Sequence, residues 1–217
     1  MSKQANNKKQ NQAQSPKGKS KPVKQSSFFE RLLGVITLNR SIYREIAEDT
    51  NGTTQAVIVV IVVALLVGAI NYFANTQLPG PPYQAGASAK PLSRAVVMVV
   101  QELLIWGAGS FVIAAVAKNM FGGSTNTGEM LRVFGFTRVF QLLLVLGVFS
   151  SALAAIVSIA GLALGIIGSI IGIREAANFT MGKAAVVAIF SIVLVSTVIA
   201  FFTAFVLNPF VTTLLPT

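Results

Sequence analysis

The feature that most constrains this chain is a run of 35 residues, 139–173, without a single Lys, Arg, Asp or Glu. As one α-helix this run would be about 52 Å long, nearly twice the ~30 Å hydrocarbon core of a bilayer. It must therefore cross a membrane twice, and we place the break at 148–153, around Ser150 and Ser151. The rest of the chain is interpreted around this hairpin.

The composition agrees with a lipid environment and removes several classes of enzyme. The chain is 53% hydrophobic and only 11% charged, whereas soluble domains carry about 25% charged residues. It contains no Cys and no His, so thiol nucleophiles, imidazole bases and the usual zinc ligands are missing. General acid–base work needs positioned groups, and the apolar segments hold no carboxylate pair. We expect neither an enzyme nor a bound cofactor.

The sequence predicts an all-α integral membrane protein with five transmembrane helices. A basic tail, 1–27, is expected to be disordered because it is too polar to bury a core. Interfacial helices follow over 28–54, and the five-span domain covers 55–206. Asn208-Pro209 is expected to end the fifth span, leaving a short outer tail, 207–217. The predicted spans are 55–74, 95–117, 130–149, 153–173 and 184–206.

Charge predicts how these spans are oriented. With the N-terminus in the cytosol, the inner segments hold fifteen of the 17 Lys and Arg residues. The outer segments hold only Lys90 and Arg94. Positive residues concentrate on the cytosolic side of membrane proteins, so we expect a cytosolic N-terminus and an outer C-terminus.

The basic tail leaves two interpretations open. It contains seven of the Lys residues and no acid. It could bind anionic lipid headgroups, at about 1 kcal/mol for each Lys near the surface, or it could be a solvated segment that only sets topology. Nucleic acid is not an expected partner, because no aromatic residue interleaves the lysines.

Two short helices are predicted between the tail and the first span. Ser27 and Glu30 have the spacing of a capping box. The apolar residues that follow recur at helical spacing, which is typical of an interfacial helix; they are Phe28, Phe29, Leu32, Leu33 and Ile36. A second helix is expected over 41–49, with Arg44 and Glu48 paired at i, i+4.

The glycine-rich segment 122–128 resembles a phosphate-binding loop only in composition. It lacks the Gly-Lys-Ser/Thr ending that supplies the phosphate and metal contacts. We instead expect Thr127 to cap a helix that begins at Glu129, whose charge suits a helix N-terminus.

Two sets of residues in the spans stand out. Glu102 is the one acid in the middle of a span, and an ionisable group there is costly unless it is paired or wet. Counted at 1.5 Å per residue, Glu102 and Gln141 fall at about the same depth, and Arg138 lies about one turn away. We expect these three to form an intramembrane polar cluster.

A stripe of glycines on the fourth span is expected to pack against another helix of this chain or of a second copy. It comprises Gly161, Gly165, Gly168 and Gly172.

Three pieces of the sequence together resemble the Yip (Ypt-interacting protein) domain family, most closely its prokaryotic branch. The first is 39–49, followed by Gln55-Ala56; the second comprises 121–125, 128–132 and Gly135-Phe136; the third comprises 173–177 and 179–184. The resemblance covers roughly 30–206. It implies a five-helix membrane domain with a cytosolic N-terminus, here in a prokaryotic cytoplasmic membrane. The chain departs from many members in lacking a Pro shortly after Gly135-Phe136.

The function expected from these features is non-enzymatic membrane organisation or partner recruitment. The expected partners are the bilayer, with anionic headgroups at the tail, and a protein partner or a second copy. The expected partner surface is cytosolic and comprises Glu129, Arg132, Arg174, Glu175 and Lys183. The alternative is a small transporter or channel that uses Glu102.

Overall fold

The computed structural model describes residues 25–77 and 91–214, and all regular structure in them is helical. The basic tail up to residue 24 and the loop 78–90 lie outside the described residues. The elements are α1 (Phe28–Ile36), α2 (Arg40–Glu48), α3 (Gly52–Gln77), α4 (Pro91–Asn119), α5 (Thr127–Thr137), a 3-10 helix (Arg138–Phe149), α6 (Ser151–Ala177), α7 (Met181–Phe202), a π-helical turn (Thr203–Leu207) and α8 (Asn208–Leu214).

The predicted five-span, all-α fold is confirmed. Five helical segments are long and apolar enough to cross a membrane, and they are Gly52–Phe73, Pro91–Asn119, Thr127–Gly147, Ala152–Ala177 and Met181–Val211. They correspond to α3, α4, α5 with the 3-10 helix, α6, and α7 with its extension. Their exposed surfaces carry large apolar side chains such as Ile58, Ile159 and Val193, as contact with lipid tails requires.

The hairpin in the uncharged run breaks at Ser150. This residue has an extended backbone, and its hydroxyl oxygen accepts a hydrogen bond of 3.1 Å from the Leu153 amide. Serine is a favoured N-cap because its side chain satisfies an amide that has no partner inside the helix. A serine in the middle of an apolar run therefore starts a new helix.

The third span changes its winding halfway. It is α-helical over Thr127–Thr137 and 3-10 helical over Arg138–Phe149. The change falls two residues after Phe136, in the region where many members of the family that the sequence resembles have a Pro. Runs of 3-10 helix longer than three or four residues are uncommon, so this twelve-residue segment is an unusual feature of the fold.

Asn208-Pro209 does not end the fifth helical segment, contrary to the expectation from sequence. The helix passes through the π-helical turn Thr203–Leu207 and continues as α8 to Leu214. Inside a regular α-helix a proline removes one backbone hydrogen bond and its ring clashes with the preceding turn. Here the π-helical turn immediately before Pro209 widens the helix, and the Asn208 amide bonds to the Thr203 carbonyl five residues back, so the proline is accommodated within a continuous helix.

The capping box before α1 is confirmed. The Ser27 hydroxyl accepts from the Glu30 amide at 3.3 Å, and the Glu30 carboxylate accepts from the Ser27 amide at 2.6 Å. One face of α1 is buried through Arg31, Gly34 and Val35. Between α1 and α2 the chain turns sharply, with Leu38 in the left-handed region at φ 56°, which is uncommon for a bulky residue.

The core is centred where α2 docks against the spans. The largest fully buried hydrophobic side chains there are Tyr43 and Ile46 of α2, Phe136 and Met130 of α5, and Ile173 of α6. α2 is therefore an integral part of the domain rather than an appendage. We call this end of the molecule the α1–α2 face; it also carries the α4–α5 and α6–α7 loops.

Candidate functional site

A buried arginine joins α1, α2 and α3 at the α1–α2 face. The Arg31 side chain is only 2% exposed, and its Nη2 lies 3.0 Å from Glu45 Oε1 and 2.6 Å from Asp49 Oδ2. Its Nη1 donates to Gln55 Oε1 at 3.0 Å. Ser26 adds two hydrogen bonds to the Glu45 carboxylate, from its amide at 2.9 Å and its hydroxyl at 2.7 Å. We call this set the Arg31 cluster.

The cluster holds its two carboxylates in the charged form. Burial alone raises the pKa of Glu45, but hydrogen bonds from Ser26 and Arg31 outweigh it and leave the pKa below its ordinary value. Burial also raises the pKa of Asp49. Hydrogen bonds from Arg31 and the Asn51 amide, and the charges of Arg31 and Arg132, outweigh this effect and leave the pKa below its ordinary value. Hydrogen bonds to a carboxylate favour its ionised state.

Arg132 of α5 caps the end of α2. Its guanidinium donates to the backbone carbonyls of Ile46 and Ala47 and, at 3.4 Å, to the Thr53 hydroxyl. The last carbonyls of a helix have no partner within it, and a cation there complements the helix dipole. Arg132 is only 6% exposed. It fixes α2 to the membrane domain.

A second ion-pair group joins α2 to α6. Arg44 Nη2 lies 2.8 Å from Glu175 Oε2, and Arg174 Nη1 lies 2.6 Å from Glu175 Oε1. The carboxylate that Arg44 contacts is therefore that of Glu175 and not the predicted Glu48. The i, i+4 spacing predicted a pair of Arg44 with Glu48, but the packing of α2 on α6 places the buried Glu175 carboxylate closer to Arg44.

The two loops of this face pack on each other. Gly122 has a φ of +67°, which favours glycine. A Cβ on Gly123 would come within 2.7 Å of the Phe179 ring, so a larger residue would displace that ring. The Asn178 amide nitrogen donates to the Ser124 hydroxyl at 3.0 Å. The glycines of this segment thus allow close packing of the two loops.

The cap of α5 is one residue earlier than predicted. Asn126, not Thr127, is the N-cap, and its side-chain oxygen accepts from the Glu129 amide at 3.0 Å. The Glu129 carboxylate accepts from Thr125 at 2.9 Å and from Asn126 at 2.7 Å. Glu129 is thereby held at the start of the helix, where a negative charge is favourable.

The expected partner surface is only partly available on the outside. Arg132 and Glu175 are only 6% and 7% exposed, so they do not form part of an outer partner surface. Their charges bind other groups of this chain instead. Glu129 and Arg174 are half-buried, whereas Lys183 is exposed, with its ammonium 4.7 Å from the centre of the Phe179 ring. Sequence reasoning missed other exposed cations of this face, namely Arg40, Arg44 and Lys118.

The predicted intramembrane residues lie together. Arg138 Nη1 is 2.9 Å from Glu102 Oε2, and Gln141 Nε2 donates to the same oxygen at 3.2 Å. Arg138 and Gln141 are three residues apart on the 3-10 helix, whose period of three residues aligns their side chains. The side chains of Glu102 and Arg138 are 16% and 14% exposed. The pairing compensates both charges within the spans.

These three residues line a cavity of about 420 Å³ between α4, the 3-10 helix, α6 and α7. Its volume falls in the range of about 300–1,000 Å³ that is typical of small-molecule sites. The walls are mostly apolar, but five serines also line it: Ser110, Ser158, Ser169, Ser191 and Ser196. A mostly apolar cavity with a few convergent polar groups is the usual form of a ligand site.

The glycine stripe of α6 packs largely within this chain. A Cβ on Gly172 would overlap Val133, and one on Gly168 would lie 2.8 Å from both Phe140 and Tyr43. On Gly161 it would lie 3.2 Å from the Phe140 carbonyl oxygen. Gly165 differs, because nothing lies within 4 Å of its Cβ position. Gly161 and Gly165 form part of the cavity wall.

In a comparison with protein-family models, residues 33–202 match the Yip1 domain. The chain belongs to the Yip1 domain family. Neither a curated protein nor a solved structure shows significant similarity to it. With five candidate spans, it is a multi-pass membrane protein of that family.

The three family-like pieces of this Yip1 domain meet at the α1–α2 face. The first supplies Glu45 and Asp49, the second supplies Arg132, which caps α2, and the third supplies Glu175, which binds Arg44. Each piece thus contributes a charged side chain to a contact that ties α2 to the spans. These residues serve to build the face, around which Arg40, Lys118 and Lys183 are exposed.

Proposed function

We propose that this Yip1 domain protein is a non-enzymatic organiser of the membrane that recruits partners at its α1–α2 face. We place this face on the cytosolic side of a prokaryotic cytoplasmic membrane, as the distribution of Lys and Arg favours. Membership of the Yip1 domain family supports the membrane role. The missing Cys and His and the ion pairing of Glu45, Asp49, Glu102 and Glu175 support a non-catalytic one.

The observation that carries this proposal is the exposed apolar edge of α1. Phe29, Leu33 and Ile36 are 73%, 61% and 47% exposed, and they lie on one side of the helix. The opposite side is fixed through buried Arg31. An amphipathic helix in such a position places its apolar edge among the lipid headgroups of one leaflet. Because α1 is fixed to the spans, its insertion would expand the headgroup region of that leaflet and not of the other.

The charge of the face supports binding of anionic groups. Its exposed cations include Arg40, Lys118 and Lys183, whereas the carboxylates Glu45, Asp49 and Glu175 are engaged in ion pairs. The seven lysines of the basic tail add to the same charge. Such a surface attracts anionic headgroups or an acidic segment of a partner protein.

Sorting between flat and curved membrane tests this function. The full chain, labelled with a fluorophore, is reconstituted in giant vesicles from which narrow tethers are pulled. We expect the protein to be denser in the tether than in the parent vesicle. The variant F29S/L33S/I36S should distribute evenly, whereas F29L/L33I/I36L, which keeps the edge apolar, should sort like wild type. Equal sorting of the serine variant and the wild type would refute the proposal.

The cavity around Glu102 favours a second candidate function, a small transporter or channel. In that case E102Q would abolish flux of protons or small cations in proteoliposomes, whereas the curvature sorting above would be unchanged. The two functions are therefore distinguished by variants in different parts of the molecule.

A further inference from the structure

The cavity contains hydrogen-bonding groups that the described part of the protein does not satisfy. Glu102 accepts both of its bonds through Oε2, and Arg138 donates through Nη1 alone. A guanidinium has five N–H donors and a carboxylate two acceptor oxygens, so each has capacity left. Gln141 Oε1 and Ser191 Oγ are buried and have no partner among the described residues. Unsatisfied polar groups are costly inside a membrane.

These groups define the chemistry of a matching ligand. A fixed anion and a fixed cation lie side by side, so their net charge is zero, and Gln141 and Ser191 add a neutral acceptor and a hydroxyl. A purely anionic ligand would be attracted to Arg138 but repelled by Glu102. A zwitterion can place its negative group on Arg138 and its positive group on Glu102 without breaking their ion pair.

The entrance to the cavity lies between two membrane-spanning helices. Most lining residues are buried or half-buried, and the exposed ones are Ser158 and Leu162 of α6 and Ser196 of α7. Both helices belong to the candidate spans, so this entrance faces lipid. Ser158 lies seven residues into α6, about 10 Å from that end of the helix. Glu102 lies eleven residues into α4, about 16 Å from the same end of the spans, so a bound headgroup moves inward from the membrane surface to reach it.

We propose that the cavity binds the headgroup of a zwitterionic phospholipid, which enters sideways between α6 and α7. The phosphate accepts hydrogen bonds from the free N–H groups of Arg138, and the ammonium donates to Glu102 Oε1. Gln141 and Ser191 bind the remaining polar atoms. The acyl chains leave the cavity past Leu162 and lie against the outer surface of α6.

Native mass spectrometry of the full-length protein tests this site. Phosphatidylethanolamine, phosphatidylglycerol and diacylglycerol with identical acyl chains are added in equal amounts. We expect the zwitterionic lipid to be retained about tenfold more than either other lipid, because charge-assisted bonds are the strong ones. E102Q/R138Q, which keeps size but removes both charges, should abolish this preference. Equal retention of all three lipids by the wild type would overturn the proposal.

A second pair of variants leaves the charged groups in place. S196L narrows the entrance, whereas T197L makes a matched change at an exposed neighbour that does not line the cavity. We expect S196L to lower retention of the zwitterionic lipid about tenfold and T197L to leave it unchanged. Loss with both variants, or with neither, would contradict entry at this point. Displacement of the lipid by millimolar phosphoethanolamine would assign the site to a water-borne zwitterion and overturn the proposal.

Discussion

Arg31 and Asp49 form an ion pair with 2.6 Å between Nη2 and Oδ2, and the arginine side chain is almost entirely buried. On the sequence, Arg31 belongs to the polar side of an amphipathic helix and would be expected to face water. In the structure Arg31 faces inward with Gly34 and Val35, and the apolar edge of α1, formed by Phe29, Leu33 and Ile36, faces out. The stability of the α1–α2 face therefore depends on a charged cluster rather than on apolar burial alone.

Removing Arg31 should release α1. R31M leaves Glu45 and Asp49 without their cation, and removing one partner of a buried ion pair lowers the free energy of unfolding by about 3–5 kcal/mol. We expect a lower unfolding temperature in detergent and faster proteolysis between α1 and α2. R40M changes an exposed arginine of the same face and should leave both quantities unchanged. A stable R31M protein with protected α1 would show that the cluster does not hold the helix.

Acid should weaken the same cluster. The pKa values of Glu45 and Asp49 are lowered in the folded protein, so their contribution is fully present above the ordinary carboxyl pKa of about 4. It is lost as the pH falls through the lowered folded values. We expect the unfolding temperature of the wild type to fall below about pH 4 more steeply than that of E45Q/D49N. E48Q, which removes an exposed carboxylate of α2, should follow the wild type.

The glycine stripe should tolerate alanine at one position and not at another. In G172A the new methyl group would overlap Val133, whereas in G165A it would meet nothing within 4 Å. Overpacking costs about 1–3 kcal/mol, while alanine favours a helix over glycine by about 1 kcal/mol. We expect G172A to lower the unfolding temperature and G165A to leave it equal or higher. A lower unfolding temperature for G165A than for G172A would show that α6 does not pack against Val133 through Gly172.

Single cysteines can establish the orientation of the protein, because the native chain contains none. Lys183 lies on the α1–α2 face and Phe149, 79% exposed, lies at the opposite end of the spans. A membrane-impermeant maleimide should label K183C only in inside-out vesicles and F149C only in right-side-out vesicles. The opposite pattern would reverse the proposed topology.

The sequence predicted the parts of the fold that depend on local chemistry. The number of spans follows from apolar lengths, and the break at Ser150 and the capping box at Ser27 follow from the residues that satisfy free helix amides. Their similar depth in the membrane predicted that Glu102, Arg138 and Gln141 lie together, and the structure places them within hydrogen-bonding distance.

Features that depend on distant residues could not be predicted in this way. Periodicity shows which residues share a side of α1 but not what lies beyond that side, so the burial of Arg31 against α2 was missed. Arg44 had a local acid four residues away, but Glu175, 131 residues away in sequence, is the acid it binds. No residue pattern indicated that the helix would change its winding at Arg138.

That change of winding links the length of the third span to its polar row. A 3-10 helix rises about 2.0 Å per residue against 1.5 Å for an α-helix, so the twelve residues Arg138–Phe149 cover about 24 Å instead of about 18 Å. Rewinding them into an α-helix would shorten the span by about 6 Å and turn Gln141 away from Arg138 by about a sixth of a turn. One local transition would therefore shift the loop at the end of the span toward the membrane and change the alignment of two polar groups that line the cavity.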